Sequence, residues 1–530
     1  MNTTGASAFL GLLILSALLL SMMSSCVAAD DVPAGVKRVV DEQQRLEQWE
    51  GYAQAKAEER IVYVATDGTG DFNCDGTDDQ VEINQALQRV AADDQLTTVH
   101  LKGPSTYTVS DTIRLPSDTI LQGDADAVLT VIPHQEAQWQ PWKGIIECDG
   151  HGVSNITIRG FEILGNRASF SRDRYYYALT LMNAYDVTVN DMYIHDASGD
   201  GIKLEHRRSV FIGDGPGEEN GKWIELTAEE LAIYSQLHEQ RANRVNSRFF
   251  NNWVQSVGHD GIYIINVQDF EVHDNYVYNC RTNSTVRLSG CNDFAIYDNV
   301  LRSNPNAGYS GNAGVQVQMG GVPVNRVEIY GNDIFRMALG GICVYGRGAF
   351  GTQTGVNIHH NRIWDCAIAG IRVYGAHDTI VENNVLYGNH GDGIQHWFVY
   401  QPLPKNRQPG EPPEGEKYTT IVRNNIIVDS IADAGRVSSP RVPPIFGFGL
   451  NNCVVTAGVD DVERYIPDNH QFISEHNCTY SNAVGPYNNA VSDSDIYVDP
   501  LFANAEGGDF HLQPGSSCIG AGTGGENIGD

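Results

Sequence analysis

The sequence predicts an all-β fold, a right-handed parallel β-helix, and three observations predict it. A small-Gly-Ile/Val-x-Val/Leu/Ile unit recurs along the chain, the intervals between copies are too short for a crossover helix, and an alternating strand ending in asparagine follows most copies. The unit stands at Gly201-Ile202, Gly261-Ile262, Thr285-Val286, Gly314-Val315, Gly341-Ile342, Gly370-Ile371 and Gly393-Ile394, and after Gly261 the intervals are 24, 29, 27, 29 and 23 residues. The strands that follow read Phe270-x-Val272-x-x-Asn275, Phe294-x-Ile296-x-x-Asn299, Val327-x-Ile329-x-x-Asn332 and Val356-x-Ile358-x-x-Asn361, and Asn384 and Asn425 continue the series.

Period-two strands at this spacing are coils of a solenoid, stacked about 4.8 Å apart. Ile262, Val286, Val315 and Ile342 then line one interior column. The asparagines form a ladder at one bend, each side chain satisfying backbone groups of its neighbours, which is a structural role.

The other elements follow in chain order. Residues 1–29 read as a signal peptide: an apolar run from Leu10 to Met23, shorter than a membrane span, precedes the small-residue site Val27-Ala28-Ala29. Met23-Ser24-Ser25-Cys26 also loosely matches a lipoprotein site, so a lipid anchor at Cys26 is the alternative. Residues 30–60 are charged and helix-prone, an N-terminal helical segment over the end of the main body. The β-helix domain, 61–530, opens with a strand, Ile61 to Ala65, and an acidic glycine turn. Asp78 or Asp79 is expected to cap the amphipathic stretch Val81 to Val90, which supplies a helical cap. Asp71-x-Asn73-x-Asp75-Gly76 matches the first half of a calcium loop, with Glu82 at its twelfth position; a plain turn is the other reading. An insertion at 207–242 contains Trp223 and a helical run, Thr227 to Arg241. A Pro- and Gly-rich loop covers 400–417, and closing turns occupy 495–530.

Composition bounds the function. With 41% hydrophobic and 19% charged residues the chain can build a large core. A formal net charge of −31 argues against a nucleic-acid partner and demands a locally basic cleft for any acidic substrate. No second long apolar run follows Met23, so no membrane span is expected, and the chain is read as a secreted or cell-surface monomer. Nine cysteines follow Cys26, an odd number, and Cys453 with Cys478 is one candidate pair in an oxidising compartment. Asn155, Asn283 and Asn477 begin glycosylation sequons.

Stacking turns the repeat into a surface. The residue between the two apolar positions of each unit faces outward, giving a column of Lys203, Tyr263, Arg287, Gln316, Cys343, Arg372 and Gln395. The next outward column is Glu205, Ile265, Ser289, Gln318, Tyr345, Tyr374 and Trp397. The turns before these strands hold Asp200, then His259-Asp260, then Asn283-Ser284, and later Asp392. Two carboxylates, cations, a histidine and a tyrosine therefore share one patch, flanked by aromatic residues suited to stacking on pyranose faces. Hydrolysis of a glycan needs an acid and a second carboxylate, and Asp200 and Asp260 stand on successive coils roughly 5 Å or more apart. Elimination needs a cation for a uronate and a base for the C5 proton, which Lys203 or Arg287 and Tyr263 or His259 could supply. Both sets are present, and no cofactor is required by either. For Asp392, standing alone, a turn-stabilising role is the better reading.

The strand–turn–helix opening and the closing turns resemble those of pectate-lyase-like β-helices. His259-Asp260-Gly261-Ile262-Tyr263, Arg281-Thr282-Asn283-Ser284-x-x-Arg287 and Tyr309-Ser310-Gly311-Asn312-Ala313-Gly314-Val315-Gln316 resemble the disaggregatase family of methanogenic archaea, over about residues 245–400. The resemblance implies degradation of methanochondroitin or a similar acidic envelope polysaccharide, with His259, Asp260, Tyr263, Asn283 and Arg287 as the site. It tilts the expected chemistry slightly towards hydrolysis. A lyase or epimerase on the same scaffold, and a non-catalytic surface or adhesion protein, remain the other readings.

Overall fold

The computed structural model describes residues 60–529, apart from 133–142, 151, 170–175, 207–208, 213–221, 226–246, 304–312, 319–324, 346–352, 375, 398–417, 431–469 and 483–491. The signal peptide, the 30–60 segment, the helical run of the insertion and Cys453 lie outside the described residues.

The chain folds as a right-handed parallel β-helix. Its strands form three parallel sheets of fourteen, twelve and ten strands, and neighbours within each sheet are one coil apart in the chain. The predicted register is observed. In the ten-stranded sheet, Ile202–Glu205, Ile262–Ile265, Val286–Ser289, Ala313–Gln318, Gly340–Tyr345, Ala369–Tyr374 and Asp392–Trp397 lie side by side, with Ile202, Ile262, Val286, Val315, Ile342, Ile371 and Ile394 aligned. These side chains and their counterparts on the other sheets form one continuous buried core. Two antiparallel hairpins stand apart from the coils: Ser209–Ile212 with Lys222–Glu225, and Phe502–Asn504 with Asp509–Leu512.

The repeated glycine has a steric cause. A Cβ at Gly201 would lie 2.7 Å from the Gly261 carbonyl oxygen, and one at Gly261 would lie 2.5 Å from the Thr285 oxygen. The same clash recurs at Gly314, Gly341 and Gly370, so only glycine lets successive coils approach at that corner. Thr285 is the exception, and its hydroxyl donates to the Gly314 carbonyl at 2.6 Å.

The asparagine ladder is present and longer than expected. Asn252, Asn275, Asn299, Asn332, Asn361, Asn384, Asn425 and Asn477 are almost wholly buried. Each rung from Asn252 to Asn425 donates through its backbone N–H and its Nδ2 to the Oδ1 of the next, and the last amide donates to Asp495. The residue before most rungs has left-handed backbone, as at Asp274, Asp298, Gly331, His360 and Asn383, which explains why short polar residues and glycine occupy that bend. Burial of Asn477 removes it from the glycosylation candidates, whereas Asn155 is exposed.

Outside the ladder, Phe250, His273, Tyr297, Tyr330 and His359 stack ring on ring at 4.7–5.1 Å, which gives His273 and His359 a structural role. The helix Gln80–Ala91 closes the N-terminal end by burying Ile83, Ala86, Leu87 and Val90.

One local expectation is corrected. Asp79 occupies the N-cap position, but its side chain does not cap the helix: its oxygens accept from the N–H groups of Gly76 and Thr108. The residues of the calcium-loop motif also make turn contacts. Asp71 accepts from Tyr63 N–H, Asn73 bonds both backbone groups of Gly70, and Asp75 accepts from Thr77 N–H. Glu82 gathers instead with Cys74 and Asp79.

Candidate functional site

The turns entering the ten-stranded sheet place Asp200 and Asp260 on adjacent coils, because Ile202 pairs with Ile262. Each carboxylate first serves its turn. Asp200 Oδ1 accepts the N–H of Asp260 at 2.9 Å, and Asp260 Oδ1 accepts the N–H of Ser284 at 2.9 Å. The turn-stabilising role and the site role therefore coexist in the same side chains.

What remains of the carboxylates converges on His259. Its Nδ1 lies 2.7 Å from Asp200 Oδ1 and 3.1 Å from Asp260 Oδ2, and atoms of all three lie within 4.8 Å of one another. Both aspartates are buried, at 1% and 0% exposure, whereas a third of the His259 side chain is exposed. Burial pushes the imidazole towards its neutral form, but the two carboxylates outweigh it and hold its pKa up to about 10. Burial and the neighbouring Asp200 raise the Asp260 carboxyl, against the pull of His259 and Arg287. The trio thus retains a proton at neutral pH. A divalent cation would suit the same three ligand atoms only by displacing it.

Around the trio, Asp260 Oδ2 also meets Asn283 Nδ2 at 3.2 Å and Arg287 Nη1 at 3.4 Å, and the Asn283 amide lies 3.3 Å from His259 Nε2. Arg287 donates to Gln318 at 2.9 Å and lies 4.6 Å from the Tyr263 ring centroid. Burial pushes the Tyr263 hydroxyl up to about 12. His259, Tyr263, Asn283, Arg287 and Gln318 are the members with surface exposure.

Other predicted residues share the register but not the surface. Lys203 is buried with its ammonium 3.2 Å from Glu205 and 4.6 Å from the ring centroid of Tyr177. Glu205 already compensates its charge, so the expected role of either in contacting substrate is not supported by their placement. Gln316 is buried and accepts from Ser284 Oγ at 2.5 Å. Arg372 is buried three coils beyond Arg287 and donates to Gln395, which in turn bonds Asp392. Burial lifts the Asp392 carboxyl to about 7. Tyr345, Tyr374 and Trp397 share one column by backbone register, and their side chains lie outside the described residues.

Tyr177 is the member that sequence reasoning missed. It precedes Ala178 on the strand Tyr177–Met182, one coil before Lys203, where alanine stands in place of the signature glycine. Tyr177-Ala178-Leu179 occupies the place of Asp200-Gly201-Ile202 one coil earlier, and all three of its residues depart from the repeat.

No curated protein matches the chain. Among solved structures it is similar to the A-module of the Azotobacter vinelandii mannuronan C-5 epimerase AlgE6, at 16% identity over 80% of this chain and 97% of that one, with a TM-score of 0.40. It is similar to a hyperthermoactive exopolygalacturonase from Thermotoga maritima, at 10% identity over 66% and 83%, TM-score 0.40. A third similarity is to the Streptococcus pneumoniae surface protein and adhesin PfbA, at 13% identity over 80% and 96%, TM-score 0.41. Residues 324–527 match the family model described as disaggregatase related, which takes in Arg372 and Asp392 and begins just after the coils that carry His259 and Arg287. That segment is similar to the disaggregatase-related proteins, and it lies within the parallel β-helix.

Proposed function

We propose that this protein is an exported enzyme that cuts an acidic, uronate-containing envelope polysaccharide by hydrolysis. One observation carries the reading: a partly exposed imidazole clasped by two buried carboxylates, beside an arginine that reaches the same surface. The roles expected of the aspartates shift accordingly. His259, held charged, donates the proton to the departing glycosidic oxygen. Asp200 and Asp260, both buried, hold that charge in place, and Asn283 and Arg287 beside Asp260 Oδ2 carry the cluster to the exposed surface. Arg287 binds a uronate carboxylate, and Tyr263 supports its guanidinium. Elimination is the weaker reading because it needs Tyr263 or His259 to accept a proton, and both are held in their protonated forms.

The family match and the resemblance to disaggregatases support a methanochondroitin-like substrate. The test is incubation of the full chain with purified uronate polymers, followed by mass measurement of the fragments. Hydrolysis adds one water per cut; a new C4–C5 double bond, absorbing in the ultraviolet, would establish elimination instead. No fragmentation of any uronate polymer would favour a binding protein.

A further inference from the structure

The C-terminal end of the solenoid is packed apart from the main core, with Trp364, Tyr387, Phe502 and Leu512 among the partly buried side chains against it. Its core is a separate small cluster of Val385, Ile426, Val428, Cys478, Phe510, Cys518 and Ile528, distinct from the continuous core of the coils. Two of these seven side chains are cysteines, both fully buried. Cys478 lies on the last coil, in the strand Cys478–Tyr480, and its N–H donates to Asn425. Cys518 lies in the closing turns, where its carbonyl accepts from Ile528 N–H. Both side chains are packed into this one buried cluster, where the Cys478 thiol also donates to the Val498 carbonyl at 3.4 Å.

We propose that Cys478 and Cys518 form a disulfide in the exported protein, fastening the closing turns to the last coil. The pairing joins the terminal coil to its cover across a 40-residue span, where the solenoid would otherwise unravel first. It replaces the sequence-based pairing of Cys478 with Cys453. Chemically, each thiol loses a proton and the pair loses two electrons as the S–S bond forms. The acceptor is a disulfide-bearing oxidant of the export compartment, which is reduced to two thiols by exchange. Because both sulfurs are inaccessible once the turns have docked, the bond forms during folding and is then shielded from reductants.

The remaining described cysteines, Cys74, Cys148, Cys280, Cys291, Cys343 and Cys366, are buried and stay reduced. Oxidation of the one pair therefore leaves them as free thiols in the unfolded, unreduced chain.

The test uses the full chain exported into an oxidising compartment, unfolded in guanidinium with an alkylating reagent and no reductant. No lysine or arginine follows Arg464, so trypsin would leave both cysteines on one peptide, and an aspartate-directed protease is used instead. The expected result is that peptides carrying Cys478 and Cys518 travel together, two hydrogens lighter than their sum, and separate on reduction. Complete alkylation of both cysteines without reductant, or linkage of Cys478 to Cys453, overturns the proposal. A second measurement does not depend on any variant folding well. Wild-type chain reduced while unfolded and then refolded in reductant should show a lower midpoint of C-terminal unfolding, seen as earlier proteolysis after 470, and an unchanged midpoint counts against the bond.

Discussion

Replacing Asp200 by Asn tests the central cluster. Asparagine keeps the size of the side chain and an oxygen for the Asp260 N–H, so the turn is preserved. It removes one of the two charges that hold His259 protonated at 2.7 and 3.1 Å. A hydrogen bond between charged partners contributes about 1.5–3 kcal/mol, and 1.36 kcal/mol corresponds to one pH unit of midpoint. With a third of the ring exposed, solvent screening favours the lower end, so the imidazole midpoint should fall from about 10 by roughly one to two units. The sign of the stability change follows. Because the folded-state pKa lies above the unfolded value of about 6.5, the stabilisation is complete below that pH. It is lost as pH rises towards about 10. Asp200→Asn should therefore cost about 1.4–2.7 kcal/mol near pH 7 and flatten the alkaline loss of stability. Histidine-labelled nuclear magnetic resonance, with His259→Gln to assign the signal, reads the midpoint directly. A wild-type His259 titrating near 6.5, or one unmoved by the substitution, would refute the reasoning.

Three further outcomes are expected. Asn332→Ala removes bonds to Asn299, Ile296, Tyr330 and Asn361 from a buried ladder and should cost about 3 kcal/mol in denaturant unfolding. Arg287→Lys loses the two-pronged contact with Asp260 and Gln318 and should weaken binding of uronate polymers about tenfold by calorimetry, with neutral glycans unaffected. Gly261→Ala places a methyl against Val277 and the Thr285 carbonyl, displacing the His259-Asp260 turn. It should destabilise by about 1–3 kcal/mol in thermal unfolding and reduce turnover more than binding.

Coil register was legible because alternation and the crowded glycine corner act locally, so Lys203, Tyr263, Arg287, Gln316 and Arg372 fall into one column as read. Their burial was not legible. Alternation states which way a side chain leaves the strand, and Lys203 and Arg372 leave outward, but what lies above them is set by segments distant in sequence. The convergence of two aspartates on His259 was equally hidden. Each aspartate could be assigned to its turn, but that the adjacent imidazole would bridge them depends on rotamers chosen by packing. At Asp79 the sequence signal for a cap was present, and a tertiary contact with Thr108 outcompeted it.

The ladder of amides runs in one direction, and it stops at Asp495. An amide both receives and passes on; a carboxylate only receives. Placing the acid at the last position leaves no N–H aimed out of the rod's end along this row, so the row offers a second molecule nothing to continue. Asp495 is itself buried, so the row is closed within the fold and not at an open face.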